Sequence, residues 1–244
     1  MRIDAGNLHF KMLDEYIRYT EDYEITIDNC IGQRRIANSS HGKKIIINGT
    51  PGNALGTYMD GSIVEVFGNA QDAVGDTMNS GKIIIHGNAG DACGYAARGG
   101  TIYVKNNAGY RAGIYMKKYK TENPVIIIGN EAGSFLGECQ DGGIISVLGL
   151  KTSRKIPVGR CCGTGMSGGK IFLRCDEPPA DLPKQIVATQ ATNDDLKELV
   201  PYIKEYCKIF GTDFDAIMSK KFVLLMPNSK ELHHSMYMSN LNIE

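Results

Sequence analysis

Residues 49–67 read GTPGNALGTYMDGSIVEVF, residues 68–86 read GNAQDAVGDTMNSGKIIIH, and residues 87–105 read GNAGDACGYAARGGTIYVK. The three stretches follow one another at a period of nineteen residues. Each carries one Gly seven residues in (Gly56, Gly75, Gly94) and another just ahead of a short β-branched run (Gly61, Gly81, Gly100). A period of roughly 20 residues marks an architecture in which one repeat cannot bury its own apolar face and must stack on its neighbours.

The strand runs outside these copies obey the same rule. Counted back from the residue that opens the next copy, the second and fourth positions are apolar throughout: Ile45/Ile47, Val64/Val66, Ile83/Ile85, Ile102/Val104, Val125/Ile127, Ile145/Val147 and Ile171/Leu173. The position between them is mixed: Ile46, Glu65, Ile84, Tyr103, Ile126, Ser146 and Phe172. Side chains alternate along a strand, so the constant pair faces a core and the variable position faces outward. Ile25-Thr26-Ile27 fits as well and brings the strands to eight. Short, β-branched, Gly-bounded runs argue against helices. The segments between them are long for hairpin loops. Parallel stacking accommodates the spacing, and the sequence predicts an all-β fold, a single-stranded parallel β-helix of about seven to eight coils.

In that frame the glycines mark corners, where positive φ or a close backbone approach is required. One column is Gly56, Gly75, Gly94, Gly113 and Gly137; a second is Gly42, Gly61, Gly81, Gly100, Gly143 and Gly169. Ala54, Ala73 and Ala92 share a further column, whose small side chains suggest a narrow interior. The Gly strings superficially resemble a dinucleotide-binding fingerprint. That motif runs from strand through turn to amphipathic helix, whereas each string here leads back into a strand.

Composition narrows the function classes. Lys plus Arg and Asp plus Glu both number 27, a balance that gives no support to a nucleic-acid or membrane-surface role. The N-terminal MRIDAGNLHFKMLDEYIRY is charged throughout and the apolar runs are only strand length, so neither a signal peptide nor a membrane span is expected, and the location is read as cytoplasmic. Of seven cysteines, none forms a CxxC pair. Cys93 and Cys207 read as small core residues, and adjacent Cys161-Cys162 is poor metal-ligand spacing. No metal or cluster is expected on this chain.

Residues 1–24 read as an N-terminal cap, because Leu8, Met12, Leu13, Tyr16, Ile17 and Tyr19 have the spacing of an amphipathic helix. The β-helix spans 25–175. After the prolines of DEPPADLP, residues 176–244 read as a helical extension. Thr192 or Asn193 caps a helix that runs to Gly211 and is kinked or restarted at Pro201. A shorter helix covers Phe214 to Lys220, Phe222 to Met226 is a short strand or docking segment, and paired His233 and His234 read as surface residues.

No HExxH, GxSxG, Walker A or CxxC motif is present. Asp72 and Asp91 share a column, and stacked carboxylates can act as an acid/base pair or bind a cation. Asn53 one copy earlier and Arg111 near the same column one copy later point instead to a solvated ladder. His86 falls in a column with Asn48, Phe67 and Lys105, which reads as a surface or corner position.

The IGQR of Ile31 to Arg34, the tandem GNAQDAVGDTMNSGKIIIHGNAGDACGYAARGGTIYVKN, and GTGMSGGKIFLR from Gly163 to Arg174 together resemble the GXGXG domain, the C-terminal domain of the large subunit of glutamate synthase. That domain also exists as a separate protein. The resemblance reaches from the N-terminus to about Cys175. It implies a right-handed β-helix with a structural role, set between a glutaminase-type amidotransferase subunit that releases ammonia and an FMN- and iron-sulfur-containing synthase barrel that aminates 2-oxoglutarate. This chain has Arg2 where a glutaminase would carry its cysteine nucleophile, and it has no cysteine cluster for an iron-sulfur centre. FMN and the cluster are therefore expected on partner subunits, with no cofactor here. A subunit of formylmethanofuran dehydrogenase is similar to the same domain. IGQR and the N-terminal helix favour the glutamate synthase side. Two departures stand out: Ile36 where later copies place the corner Gly, and the basic insertion Lys151 to Arg160 followed by Cys161-Cys162. The readings are a non-catalytic scaffold subunit of a glutamate synthase-like complex, a scaffold of a formylmethanofuran dehydrogenase-type complex, or an independent β-helix enzyme using Asp72 and Asp91. A homo-oligomer stays open.

Overall fold

Ile45, Val64, Ile83, Ile102, Ile126, Ile145 and Ile171 stand side by side across seven neighbouring strands. Each is at most 2% exposed, and full burial of such a side chain stabilises by ~1.5–3 kcal/mol. This column organises the computed structural model, which describes residues 1–228. The strands are β1 (Arg2–Asp4), β2 (Glu24–Ile31), β3 (Lys44–Thr50), β4 (Asp60–Phe67), β5 (Ser80–Ile85), β6 (Thr101–Val104), β7 (Val125–Ile128), β8 (Asp141–Val147), β9 (Gly168–Leu173), β10 (Ile186–Gln190) and β11 (Val223–Pro227). They form one sheet in the order β1 to β9, then β11, then β10, open at both edges. Pairing is parallel from β1 to β9, and β11 is antiparallel to both of its neighbours.

The segments between strands stack as well. Ala70, Ala89, Ala108, Ala132 and Val158 make a second parallel ladder of single bridges. Leu55, Val74, Cys93, Leu136 and Cys162, from the same segments, join the strand column in one apolar cluster. The described residues are thus mostly β, built around one large, mostly parallel sheet.

Three readings of the repeat need correction. In β7 the inward pair is Ile126/Ile128, and Val125/Ile127 face the other way. Gly129 looks like the opening glycine, yet it occupies the place of Lys105, while Asn130 bonds to its counterpart Asn106. A one-residue slip moves every side chain to the opposite face. Likewise Ala37 (φ 61), and not Ile36, takes the place of the corner glycine in the first repeat; Ile36 is an interior residue. Finally, Ala54, Ala73 and Ala92 do not line the interior. They are only half-buried, and their φ values of 64, 57 and 54 explain the preference for a small side chain.

The outward positions are not all solvent-facing. Ile84, Tyr103, Ile127 and Phe172 form a second cluster with Leu199, Ile203 and Tyr206, supplied by α3 (Val200–Phe210) and its N-cap, which follow the short α2 (Asn193–Lys197). Thr192 caps α2 with Asp195 completing a capping box, Pro201 opens α3, and Gly211 ends it in the left-handed region. α4 (Phe214–Met218) leads into β11, which returns the chain to the sheet. Of the C-terminal segment, Ile186, Val223 and Leu225 join the strand-column cluster while the helices build the second one; β10 is an element that the sequence reading did not contain. At the other end α1 (Phe10–Tyr19) buries Leu13 and Ile17 against the first repeat. β1 is a further unforeseen strand, ahead of that helix.

Candidate functional site

The first glycine column meets the isoleucine column. A Cβ on Gly56 would lie 2.6 Å from Ile83 Cδ1, one on Gly75 2.5 Å from Ile102 Cδ1, and one on Gly137 2.6 Å from Ile171 Cδ1. All five members have φ between 66 and 74. Two constraints therefore coincide: a left-handed backbone, and an isoleucine of a later repeat already in the space. The second column, Gly42, Gly61, Gly81, Gly100, Gly143 and Gly169, also has positive φ throughout.

Asp72 and Asp91 are on neighbouring repeats, and their carboxylates cap backbone. Asp72 Oδ1 accepts the N–H of Asp91 at 2.9 Å, and Asp91 Oδ1 accepts the N–H of Tyr110 at 2.8 Å. Asn53 does the same for Asp72, and Ser134 for Arg160. Tyr110, and not Arg111, continues the ladder. A parallel ladder runs through Asn69, Asn88 and Asn107 to the N–H of Glu131. Side-chain oxygens thus satisfy N–H groups that the corner geometry leaves without a backbone acceptor.

The IGQR segment fastens the N-terminal cap. Gln33 is 7% exposed; its Oε1 accepts the Ile31 N–H at 2.7 Å and its Nε2 donates to Ala5 O at 2.5 Å. Arg34 lies over the Phe10 ring at 4.2 Å. Gly32 takes the left-handed region at φ 76, and Gly52, without a Cβ, packs its backbone directly against the Gly32 carbonyl. Gly32, Gln33 and Arg34 thus have structural partners, while Ile31 is exposed.

The basic insertion folds back on the preceding repeat. Arg154 pairs with Glu131 at 3.4 Å and donates to Val158 O at 3.0 Å, and Thr152 bonds to Glu131. Cys162 is buried in the core, its thiol pushed up to about 12 by burial first and by Asp181 and Cys175 next. Burial also pushes the Cys93 thiol up to about 12. Such thiols stay protonated near neutrality and are poor nucleophiles. Cys161 is partly exposed in the left-handed region, with its backbone N–H held by Asp181. Among the described residues, no three His, Cys, Asp or Glu side chains converge to hold a metal ion. No helix among them is long and apolar enough to cross a membrane. His233 and His234 lie outside the described residues.

The densest polar cluster is one that the sequence did not single out. Glu205 on α3 accepts the Tyr103 hydroxyl at 2.7 Å and pairs with Lys82, Lys170 pairs with Glu198, and Tyr206 donates to Lys105 O at 3.1 Å. Burial alone would raise the Glu205 carboxyl, but the hydrogen bonds from Lys82 and Tyr103 outweigh it and hold its pKa below the ordinary value. Beside it, His86 lies between Phe67, stacked at 4.5 Å, and Phe210, edge-on at 5.2 Å, with Nε2 2.8 Å from Glu65. These residues clamp the C-terminal helices to the sheet. The contacts of Glu205 with Tyr103 and of Tyr206 with Lys105 join residues more than 100 positions apart in sequence, so no local pattern reveals them.

The family described as the GXGXG motif matches residues 24–228, crossing the end of the β-rich repeats and taking in the C-terminal helices. An uncharacterized protein of Methanocaldococcus jannaschii is 42% identical, the match covering 98% of this chain and 97% of that one. Among solved structures, a chain of the formyltransferase/hydrolase complex of Methylorubrum extorquens, in complex with methylofuran, is similar with a TM-score of 0.63 at 22% identity. That match covers 83% of this chain and 72% of the other, a likeness of fold.

Proposed function

We propose that this chain, which belongs to the GXGXG motif family, is a non-catalytic scaffold subunit of a multi-subunit complex, and that the complex is a glutamine-dependent, 2-oxoglutarate-aminating oxidoreductase of the glutamate synthase kind. One observation carries the reading. The residues that the sequence singles out are engaged in structure: the column glycines at left-handed positions, Asp72 and Asp91 on N–H groups, and Gln33 on the cap. A family match over most of the chain is thus joined to side chains already used for structure. The parallel sheet is then one wall of a right-handed β-helix, whose outer surface holds partners together in the cytoplasm. FMN and an iron-sulfur cluster then belong to those partners; burial keeps the Cys93 and Cys162 thiols protonated and poor ligands.

A second reading has support of its own. The similar solved chain comes from a complex named for formyl transfer and hydrolysis, which favours a scaffold role in a formylmethanofuran dehydrogenase-type assembly. Affinity purification of the tagged chain from its native cells separates the two. A glutaminase-like protein together with an FMN-barrel protein supports the first. A molybdopterin or amidohydrolase-like subunit supports the second, and a chain that purifies alone refutes both.

A further inference from the structure

Tyr58, Tyr95, Tyr110, Tyr115 and Tyr119 are each more than a third exposed, and all lie between strands in the middle repeats. Tyr58 and Tyr115 also sit in the left-handed region, at φ 54 and 55. Other repeats place Ser39, Thr77 and Ala96 at the same hydrogen-bonded position. A large aromatic there is both strained and wet, and neither property serves folding. Tyr95 and Tyr115 pack edge to face at 6.1 Å, which pre-organises them as rigid contact surface, and Tyr and Arg are enriched where interfaces bind tightly.

The lengthened corner beside these rings carries more positive than negative charge: Lys117, Lys118 and Lys120 stand against Glu122. Gly113 and Gly137 are 24 residues apart where the earlier spacing is 19, and the extra length forms a turn closed by Tyr119 and Glu122, with Lys120 inside it and Lys117 and Lys118 just ahead. Among the described residues none of these three lysines pairs with a carboxylate. The Arg98 guanidinium lies 5.8 Å from the Tyr119 ring, and its Nε is buried with no acceptor. Docking of this corner on its copy in a second chain would set lysine against lysine. A nucleic acid fits poorly with a chain of zero net charge.

We propose that this tyrosine and lysine corner docks a carboxylate-rich face of a different protein subunit. The proposal rests on the scaffold reading and adds the surface and the partner's charge to it. The test is zero-length carbodiimide coupling, which joins amines to carboxylates, on the complex isolated through a tag on this chain, followed by peptide mapping. Coupling of Lys117, Lys118 or Lys120 to Asp or Glu of the co-purifying subunit is expected. The combined variant Lys117→Glu, Lys118→Glu, Lys120→Glu should retain about tenfold less of that subunit, while melting within about 2 °C of wild type. Tyr115→Ser should weaken retention in the same direction. Full retention by the charge-reversed variant, or coupling only elsewhere or only to a second copy, overturns the docking surface and leaves the scaffold reading standing. Isolation of the chain alone removes the scaffold reading and this surface with it. Lysine-dependent binding of a fluorescent oligothymidylate, with no coupling to protein, would assign the corner to nucleic acid instead.

Discussion

Replacing Gly75 by alanine separates two costs that the repeat superimposes. At Gly75 φ is +68, and a new Cβ would lie 2.5 Å from Ile102 Cδ1, 3.5 Å from Ile102 Cγ1 and 3.6 Å from Ile83 Cδ1. Gly42, in the second column, has φ +62 with nothing within 4 Å. Both substitutions incur the left-handed penalty of ~1 kcal/mol or slightly more. Only Gly75→Ala also overpacks the interior, for ~1–3 kcal/mol, because Ile102 must leave its rotamer among fully buried neighbours. The sum is about 2–4 kcal/mol for Gly75→Ala against about 1 kcal/mol for Gly42→Ala. In a chain of this size each kcal/mol shifts the melting midpoint by roughly 2–4 °C, so differential scanning calorimetry should place Gly75→Ala ~4–16 °C below wild type and Gly42→Ala only ~2–4 °C below. Equal midpoints for the two variants would refute the claim that the glycine column is fixed by the isoleucines of later repeats.

Ser146 is fully buried and its hydroxyl has no hydrogen-bond partner; Ser146→Ala should raise stability by up to ~1 kcal/mol, read as a higher urea midpoint. Gln33→Ala takes away the acceptor of the Ile31 N–H and one of the two donors to Ala5 O, and hydrogen exchange should show faster exchange over Ala5 to Tyr19, ahead of the sheet. The Glu205 carboxyl is held below its ordinary value near 4.5. A lowered carboxyl contributes stability that is present above the unfolded pKa and lost as pH falls through the folded one. Limited proteolysis should therefore release the C-terminal helices more readily as pH falls below about 4.5, and Glu205→Gln should blunt that dependence.

Repetition made the sheet readable and hid its exceptions. Where a pattern recurs, as in Ile45/Ile47 and Val64/Val66, period two and the glycine spacing were enough to place each strand against the next. In β7 the landmark itself misled. Gly129 is a glycine because a side chain there would strike Lys105 O and the Tyr206 hydroxyl, not because it opens a repeat. The chemistry of the outer face was illegible for a related reason. Tyr103 and Phe172 read as tolerated outward residues until α3 is laid across them, and that contact depends on residues some 30 to 100 positions away. Asp72 and Asp91 were visible as a column, but only hydrogen-bond geometry distinguishes a carboxylate that caps an N–H from one that awaits a substrate.

The scaffold claim is tested most directly by reconstitution from the separately purified subunits that accompany this chain. With glutamine, 2-oxoglutarate and a reductant, glutamate formation should need the chain for assembly, fall when it is omitted, return when it is added back, and be absent with the chain alone. Turnover by the isolated chain that is lost in the Asp72→Asn, Asp91→Asn variant, or full activity of the partners without it, would contradict the account.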